Sequence, residues 1–163
     1  MAEPALSPRL AVSVQEADFD VAALQQQLLA GAREEGAVAT FTGYVRAAGE
    51  RQAVATMELE YYPGMTERSI EGILQEAAGR WPLLAASVVH RVGRLRAGDR
   101  IVWVGVASAH RAAAFSACEF LMDYLKDRAP FWKKEIGPDG SHWVDARSED
   151  NARAARWKDP AGR

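Results

Sequence analysis

A proline at position 130 divides the most informative stretch of the chain, residues 108–135, into two kinds of structure. Before this proline, Ser108 is a suitable N-cap and strong helix formers follow it. Because proline cannot continue a helix, the sequence predicts that the helix ends near residue 128. After the proline, residues 131–136 alternate as a strand does. The chain must therefore place a helix end directly beside the start of a strand.

The predicted helix carries apolar and acidic residues at helical spacing. Phe115, Met122 and Leu125 are expected on one apolar side of the helix, where they would face a core. Asp123 and Asp127 fall elsewhere on the helical wheel, and we expect them to face away from that core.

Both ends of this helix are basic, although the chain has a net charge of −2. Lys126 lies in the last turn, where a cation is favourable. His110 and Arg111 lie in the first turn, where a cation is unfavourable unless an anion binds beside the free N–H groups. The alternative is two solvated residues at a surface helix start. Arg111 and Lys126 would be roughly 22 Å apart, so a site that uses both must be shared between two copies of the chain.

The lysines offer chemistry that the rest of the chain lacks. Lys126 follows Met122 by one helical turn, so both are expected at one pocket. Alternation places Lys133 on the same strand face as Phe131 and Glu135. A lysine that aromatic rings partly desolvate can act as an acid, a base or a nucleophile. Arg46 ends a predicted strand and is suited to gripping a phosphate, although each cation taken singly is more often a solvated surface charge.

Other chemistries lack support in the sequence. The three histidines are scattered without metal-ligand spacing, so we predict no metal and no cofactor. Cys118 is the only cysteine and lies between apolar neighbours, which favours a buried core thiol over a nucleophile and excludes an internal disulfide. The chain contains no GxSxG, phosphate-binding or dinucleotide-binding glycine motif.

Composition indicates an ordinary globular protein of 163 residues, which we predict to be a single domain over 1–163 with loose ends at 1–9 and 158–163. The slightly acidic charge argues against nucleic-acid binding. No apolar run is long enough to span a membrane, and the N-terminus lacks an export signal, so we expect a cytoplasmic protein.

The order of elements predicts an α+β fold. Residues 36–46 and 53–62 are expected to form an antiparallel pair, with Gly43 as a bulge and residues 47–52 as an exposed or mobile loop. Residues 100–107 are expected in the centre of the sheet. Further elements follow from pattern and turn chemistry: strands at 10–14, 85–92, 131–136 and 141–147, and helices from Asp18 or Asp20 to 30, from Thr66 to 80, and over 150–158.

Seven runs of the sequence resemble one known family, and together they extend over about residues 10–157. The chain is similar to the large, catalytic subunit of molybdopterin synthase, the MoaE family. The runs are FTGYVR (41–46), LEYYPGMTE (59–67), RWPL (80–83), VVHRVGRLRAGD (88–99), VGVASAHRAAAF (104–115), FLMDYLKDRAPFWKKE (120–135) and HWVDAR (142–147).

This resemblance implies sulfur transfer in molybdenum-cofactor biosynthesis. Sulfur from the C-terminal thiocarboxylate of a small ubiquitin-like partner with a Gly-Gly tail would be placed on cyclic pyranopterin monophosphate, giving the dithiolene of molybdopterin. A homodimer of large subunits would carry one small subunit at each end, forming a heterotetramer. The implied fold is an α/β hammerhead with an additional antiparallel β subdomain.

The resemblance also implies roles for particular residues. Lys126 and Lys133 correspond to the essential lysines of the family, and Phe41 and Met122 would line the channel for the partner's tail. The implied substrate-binding set is Tyr44, Val45, Arg46, His110, Arg111, Lys126, Lys133, Lys134, Glu135 and Arg147, with His110 and Arg111 contributed by the other subunit.

The sequence departs from the family pattern in one loop. Tyr44 stands where the family often has lysine, and residues 47–52 read AAGERQ instead of an Asn/His-rich loop. A substrate contact from this loop is therefore in doubt, Tyr44 contributes at most its backbone, and no chemistry is assigned to Lys134. The alternatives are a non-catalytic dimeric scaffold that binds a ubiquitin-like tail or nucleotide, and a transferase that forms an amide on Lys126.

Overall fold

The computed structural model of the chain describes residues 7–29, 34–49, 52–145 and 148–158. The strands are β1 (Arg9–Gln15), β2 (Ala37–Tyr44), β3 (Thr56–Tyr61), β4 (Ala85–Arg91), β5 (Gly93–Arg96), β6 (Arg100–Ser108), β7 (Phe131–Gly137) and β8 (Gly140–Val144). The helices are α1 (Val21–Leu28), α2 (Met65–Arg80), α3 (Arg111–Arg128) and α4 (Ser148–Ala155), and a single 3₁₀ turn (Arg156–Lys158) follows α4. In this part of the chain no helix is long and apolar enough to cross a bilayer.

The strands form two four-stranded sheets, which confirms the mixed α+β fold. The first sheet has the order β1-β4-β6-β2, with β1 parallel to β4 and the other neighbours antiparallel. β6 is an interior strand of this sheet, as its continuous apolar sequence predicts, and Trp103 is fully buried in it. The second sheet has the order β5-β3-β7-β8 and is antiparallel throughout.

The predicted pairing of β2 with β3 is wrong. β2 pairs with β6 in the first sheet, whereas β3 lies between β5 and β7 in the second sheet. Alternation shows which face of a strand is buried but does not identify its neighbour. The prediction that Gly43 marks an irregularity is confirmed, since the β2–β6 register shifts there and a Cβ on Gly43 would lie 2.8 Å from a methyl of Val102.

Helices cover both faces of the first sheet. α2 and α3 pack on one face, where the buried side chains include Leu74, Phe120 and Val104. α1 covers the other face with Leu28, which packs in a smaller cluster around Trp103. The second sheet is carried beside this layer by the short connection from α3 to β7 through Pro130. α3 thereby delivers its last turn to the junction of the two sheets.

The ends of α3 agree with the prediction at the C-terminus only. The helix ends at Arg128 and the next residue, Ala129, is extended, as Pro130 requires. At the other end, the N-cap is His110 and not Ser108. Ser108 is the last residue of β6, is buried, and donates a hydrogen bond from its hydroxyl to the carbonyl of Pro82.

The predicted faces of α3 are also partly wrong. Leu125 is buried as expected, but Phe115 is 66% exposed and Asp123 is only 6% exposed. The reason is that β2, β6, α2 and α4 pack on most sides of the helix, and the strip left exposed carries Phe115, Glu119 and Lys126. Asp123 faces α4, where it meets two guanidinium groups.

The starts of α1 and α2 show how local chemistry decides a helix end. Asp20 caps α1 as predicted, because its carboxylate accepts from the backbone N–H groups of residues 22 and 23. Thr66 does not cap α2. Gly64, with φ of 84°, is the N-cap, and Glu67 accepts a hydrogen bond from its backbone N–H. Thr66 is fully buried and donates instead to the carbonyl of Pro130.

Candidate active site

A polar pocket of about 390 Å³ lies where the last turn of α3 meets the inner face of β7. Six of the residues that the sequence singles out line it: Tyr44, Arg46, Met122, Lys126, Lys133 and Glu135. They come from three separate parts of the chain. The fold therefore brings together side chains that sequence spacing alone cannot place in one site.

The lysines reach the pocket by the two periodicities that the sequence indicates. Met122 and Lys126 are one helical turn apart on α3, and both line the pocket. On β7, Phe131, Lys133 and Glu135 alternate onto the same face and line it too. Lys133 is half-buried, whereas Lys126 is exposed at the rim of the pocket. Within a single chain, only Lys133 of these two lysines therefore has the partial burial that desolvation by neighbouring side chains requires.

A buried histidine that the sequence did not assign to the site forms part of the pocket wall. His90 lies near the end of β4, and its Nδ1 is 2.8 Å from the carbonyl oxygen of Arg91. Because a carbonyl only accepts, this contact places a proton on Nδ1 and leaves Nε2 as the acceptor. Burial, and secondarily the charge of Lys126, lower the pKa of His90 to about 4. The histidine is therefore an uncharged polar group beside the lysines. The one sequence signal for its position is the alternation of β4, which places His90 among inward-facing residues.

Arg46 enters the pocket from the segment between the two sheets. Val45, next to it, is buried, and its backbone pairs with that of the 98–99 turn: the N–H of Val45 donates to Asp99 and its carbonyl accepts from Gly98. The side chain of Val45 packs in a small core, which leaves only its backbone near the site. Ala48 and Gly49 also line the pocket, so this part of the loop that departs from the family pattern adjoins the candidate site.

A second, more apolar groove of about 580 Å³ adjoins the pocket. Phe41 and Phe115 line it, and both rings are exposed. Met122, Lys126 and Asp150 line the groove and the pocket alike. Lys126 therefore stands at the junction between an apolar groove and a polar pocket.

Comparisons with known proteins identify the family of the chain. Residues 14–128 match the family model described as MoaE protein. The chain belongs to the MoaE family. The molybdopterin synthase catalytic subunit of Ralstonia nicotianae is 55% identical over 146 residues, which cover 90% of this chain and 83% of the relative.

Solved MoaE structures have the same fold. The structure described as molybdopterin biosynthesis MoaE protein from Burkholderia ambifaria matches with a TM-score of 0.78 and 51% identity, covering 93% of this chain and 99% of that one. A chain in a complex of subunits 1 and 2 of the molybdopterin-converting factor from Helicobacter pylori matches with a TM-score of 0.67 and 20% identity, covering 85% and 92%. At that lower identity the likeness concerns the fold alone.

The remaining predicted site residues of this MoaE chain lie away from the pocket or outside the described residues. His110 and Arg111 are exposed at the start of α3, at the opposite end of the helix from Lys126. Lys134 lies on the opposite face of β7 from Lys133, with its ammonium 4.0 Å from Glu58 and over the ring of Trp143. Arg147 lies outside the residues that the structure describes.

The single cysteine of this MoaE chain is a core thiol, as predicted. Cys118 is 8% exposed at the floor of the apolar groove. Burial, with a smaller contribution from the charge of Glu119, raises the pKa of its thiol to about 11. The thiol is therefore protonated at neutral pH and is a poor nucleophile.

The C-terminal helix of the MoaE chain is tied to α3 by a charged cluster. Asp123 accepts hydrogen bonds from Arg153 at 3.0 Å, from Arg156 at 2.9 Å and from the indole of Trp157 at 2.7 Å. Burial alone would raise the pKa of Asp123, but these donors outweigh burial and the net effect lowers its pKa. The cluster fixes α4, and with it Asp150, against both cavities.

Proposed function

We propose that this chain is the catalytic subunit of a molybdopterin synthase. It transfers sulfur from the C-terminal thiocarboxylate of a small ubiquitin-like subunit to cyclic pyranopterin monophosphate, forming the dithiolene of molybdopterin. The family membership and the name of the Ralstonia relative support this assignment. The observation that carries it in the structure is the position of Lys126, which lines both cavities.

The polar pocket suits the phosphorylated substrate. Arg46, Lys126 and Lys133 supply cations from three directions, and an arginine can hold a phosphate through two parallel hydrogen bonds. Glu135 and the neutral His90 supply acceptors for the donors of a pterin ring. A cyclic phosphate fused to a polar heterocycle has this same combination of an anion and hydrogen-bonding edges.

The apolar groove suits the tail of the partner. Phe41, Phe115 and Met122 offer an apolar surface, and a chain that ends in Gly-Gly is slender enough to lie along it. The terminal thiocarboxylate would then meet Lys126, where the groove joins the pocket. This arrangement places sulfur donor and acceptor on the two sides of one ammonium group.

A dithiolene needs two sulfur transfers, each from one thiocarboxylate. In each transfer the sulfur bonds to a carbon of the pterin while the C–O bond at that carbon breaks, and the oxygen leaves as water or, where that oxygen belongs to the cyclic phosphate, with the phosphate. The acyl–sulfur bond of the tail is then cleaved. A water molecule supplies the oxygen for this cleavage, so the released tail ends in an ordinary carboxylate. The sulfur stays on the pterin. Lys126 stabilises the oxyanion that forms on the tail carbonyl, or captures that carbonyl transiently as an amine. Lys133 assists proton transfer or opening of the cyclic phosphate. Cys118 takes no part, since its sulfur is protonated and the transferred sulfur arrives on the partner.

The complete site is shared between two copies of the chain. His110 and Arg111 lie at the start of α3, roughly 22 Å along the helix from Lys126, so within one chain they cannot contact the same small substrate. In a symmetric dimer the start of one α3 meets the pocket of the other chain. With one small subunit for each site, the assembly is a heterotetramer, and it acts in the cytoplasm.

The decisive experiment replaces Lys126 with alanine in the reconstituted complex. Purified chain, thiocarboxylated partner and cyclic pyranopterin monophosphate are incubated, and product and partner are followed by mass spectrometry. We expect Lys126→Ala to abolish product. The control is Lys158→Ala, which changes an exposed lysine after α4 and should turn over as the wild type does. Substantial turnover by Lys126→Ala would refute the role of that lysine. A wild-type protein that leaves both partner and substrate unchanged in mass would be a binding scaffold, and the proposed function would be wrong.

A further inference from the structure

The two described arms of the loop after Arg46, residues 47–49 and 52–54, pair with each other, and the returning arm is fastened to the second sheet; the pair of arms is called the hairpin below. On the described residues of this loop, Ala48 forms a bridge with Ala53, and the N–H of Val54 donates to the carbonyl of Ala47 at 2.6 Å. The outgoing arm faces the pocket, since Ala48 and Gly49 line it. The position of the returning arm therefore decides where the pocket-facing arm lies.

Gln52 joins this hairpin to the turn between β7 and β8. Its side-chain Nε2 donates to the carbonyl of Gly140 at 2.8 Å, and its Oε1 accepts from the N–H of Asp139 at 2.6 Å. The two bonds satisfy both ends of one side-chain amide with backbone groups 87 and 88 residues away in sequence. A paired contact of this kind fixes orientation as well as distance.

The hairpin and β7 approach each other closely around this contact. A Cβ on Gly137 would overlap the carbonyl oxygen of Ala53 and would lie 2.7 Å from the amide carbon of Gln52. A Cβ on Gly49 would overlap the carboxylate of Glu135 and the side chain of Val54. The hairpin thus approaches β7 closely at two places, where Gly49 lies beside Glu135 and where Gly137 lies beside Ala53.

We propose that Gln52 is a positioning residue that sets the distance between Arg46, next to the hairpin, and Lys133, on β7. Both cations line the pocket, but in sequence they are separated by six elements, from β3 to α3. Gln52 fastens the hairpin directly to the β7–β8 turn and so gives the two cations a common frame. The arginine is then held ready for an anion, which lowers the ordering cost of binding.

The inference rests on the proposed function for its kinetic readout only. Gln52→Met keeps the length of the side chain and removes both hydrogen bonds. Gln75→Met, at an exposed position on α2, is the matched control. The two variants and the wild type are compared as complete complexes in amide hydrogen exchange and steady-state kinetics.

We expect the Asp139 amide to exchange about tenfold faster in Gln52→Met, because its acceptor is gone and opening of the turn is easier. We expect the KM for cyclic pyranopterin monophosphate to rise about tenfold while kcat changes less than about twofold, since the arginine binds the anion equally before and during the reaction. Gln75→Met should match the wild type in both measurements. Unchanged exchange in Gln52→Met would show that the contact does not hold the turn.

Faster exchange with an unchanged KM would show that the contact does not position the arginine, and it would overturn the proposal. If the wild-type complex makes no product at all, the proposed function fails. The KM comparison is then replaced by the affinity of each variant for inorganic pyrophosphate as an anionic probe. An unchanged affinity in Gln52→Met overturns the positioning role independently of the reaction.

Discussion

The imidazole of His90 stacks on the ring of Phe131, with centroids 4.0 Å apart and planes 19° from parallel. His90 belongs to β4 of the first sheet, and Phe131 begins β7 of the second. The stacked pair is therefore a direct side-chain contact between the two sheets at the wall of the pocket. Burial at this contact disfavours the charged form of the imidazole. The free energy of unfolding should therefore depend on pH.

Stability should fall as the pH drops from about 6.5 to about 4. Unfolded His90 takes up a proton near its ordinary pKa of 6.5, whereas the folded pKa is about 4, chiefly because the ring is buried. Between those values the unfolded state binds more protons, so acid favours unfolding, by about 3 kcal/mol over the whole window. Urea denaturation at several pH values measures this slope. His90→Phe, which keeps the stacking, should flatten it, and an unchanged slope in that variant would contradict the assignment.

Removing the charge of Asp123 should detach α4. Asp123→Asn removes the buried charge and one of its acceptors, but both arginines remain about half exposed, so we expect a loss of about 2 kcal/mol in the free energy of unfolding. Glu119→Gln is the matched control, because Glu119 pairs with the same arginines but is half-exposed, so the loss should be below about 1 kcal/mol. Chemical denaturation measures both. Equal losses in the two variants would show that the burial of Asp123 does not determine how much the cluster contributes to the free energy of unfolding.

Cys118 should be dispensable for sulfur transfer and slow to react. Its thiol is buried with a pKa of about 11, so iodoacetamide at neutral pH should label the native chain far more slowly than the urea-unfolded chain. Cys118→Ala should lose about 1–2 kcal/mol of stability through lost packing. Its turnover with thiocarboxylated partner should stay within about twofold of the wild type. If Cys118→Ala folds but makes no product, the cysteine is required for sulfur transfer and this prediction is wrong.

A shared site predicts complementation between two inactive variants. Arg111→Ala and Lys126→Ala damage opposite ends of α3, so each homodimer should be inactive. Unfolding and refolding the two together gives dimers of which half are mixed, and each mixed dimer has one undamaged site. About a quarter of the wild-type activity should therefore return. Lys126→Ala mixed with the double variant should recover none, and the absence of recovery in the first mixture would place each site within one chain.

The sequence predicted several elements because local chemistry alone decides them. Pro130 ends α3, Asp20 caps α1, and the apolar run of β6 requires a position inside a sheet. Alternation also placed Lys133 and Glu135 on one face of β7, and the pocket lies on that face. Each of these predictions depends on residues close together in the chain.

Predictions failed where the outcome depends on distant residues. Ser108 has the chemistry of an N-cap, but β6 runs on through it and its hydroxyl meets Pro82. Asp123 was expected away from the core, yet the arginines of α4 make a nearly buried position favourable for it. No pattern in the loop at 47–52 predicts the partners of Gln52, which lie in the β7–β8 turn. The exposure expected of this loop is seen at Ala47 and Ala48, and residues 50–51 lie outside the described residues.

The amino-acid sequence by itself determined the periodic elements, the helix end beside the strand, the family, and the two periodicities that bring Lys126 and Lys133 to one pocket. Only the tertiary structure decided which strands pair, that His90 lies uncharged in the pocket, and that Lys126 stands between two cavities. The reason is physical. Hydrogen-bonding and steric preferences act within a few residues, whereas burial and charge pairing depend on which surfaces meet when the chain folds.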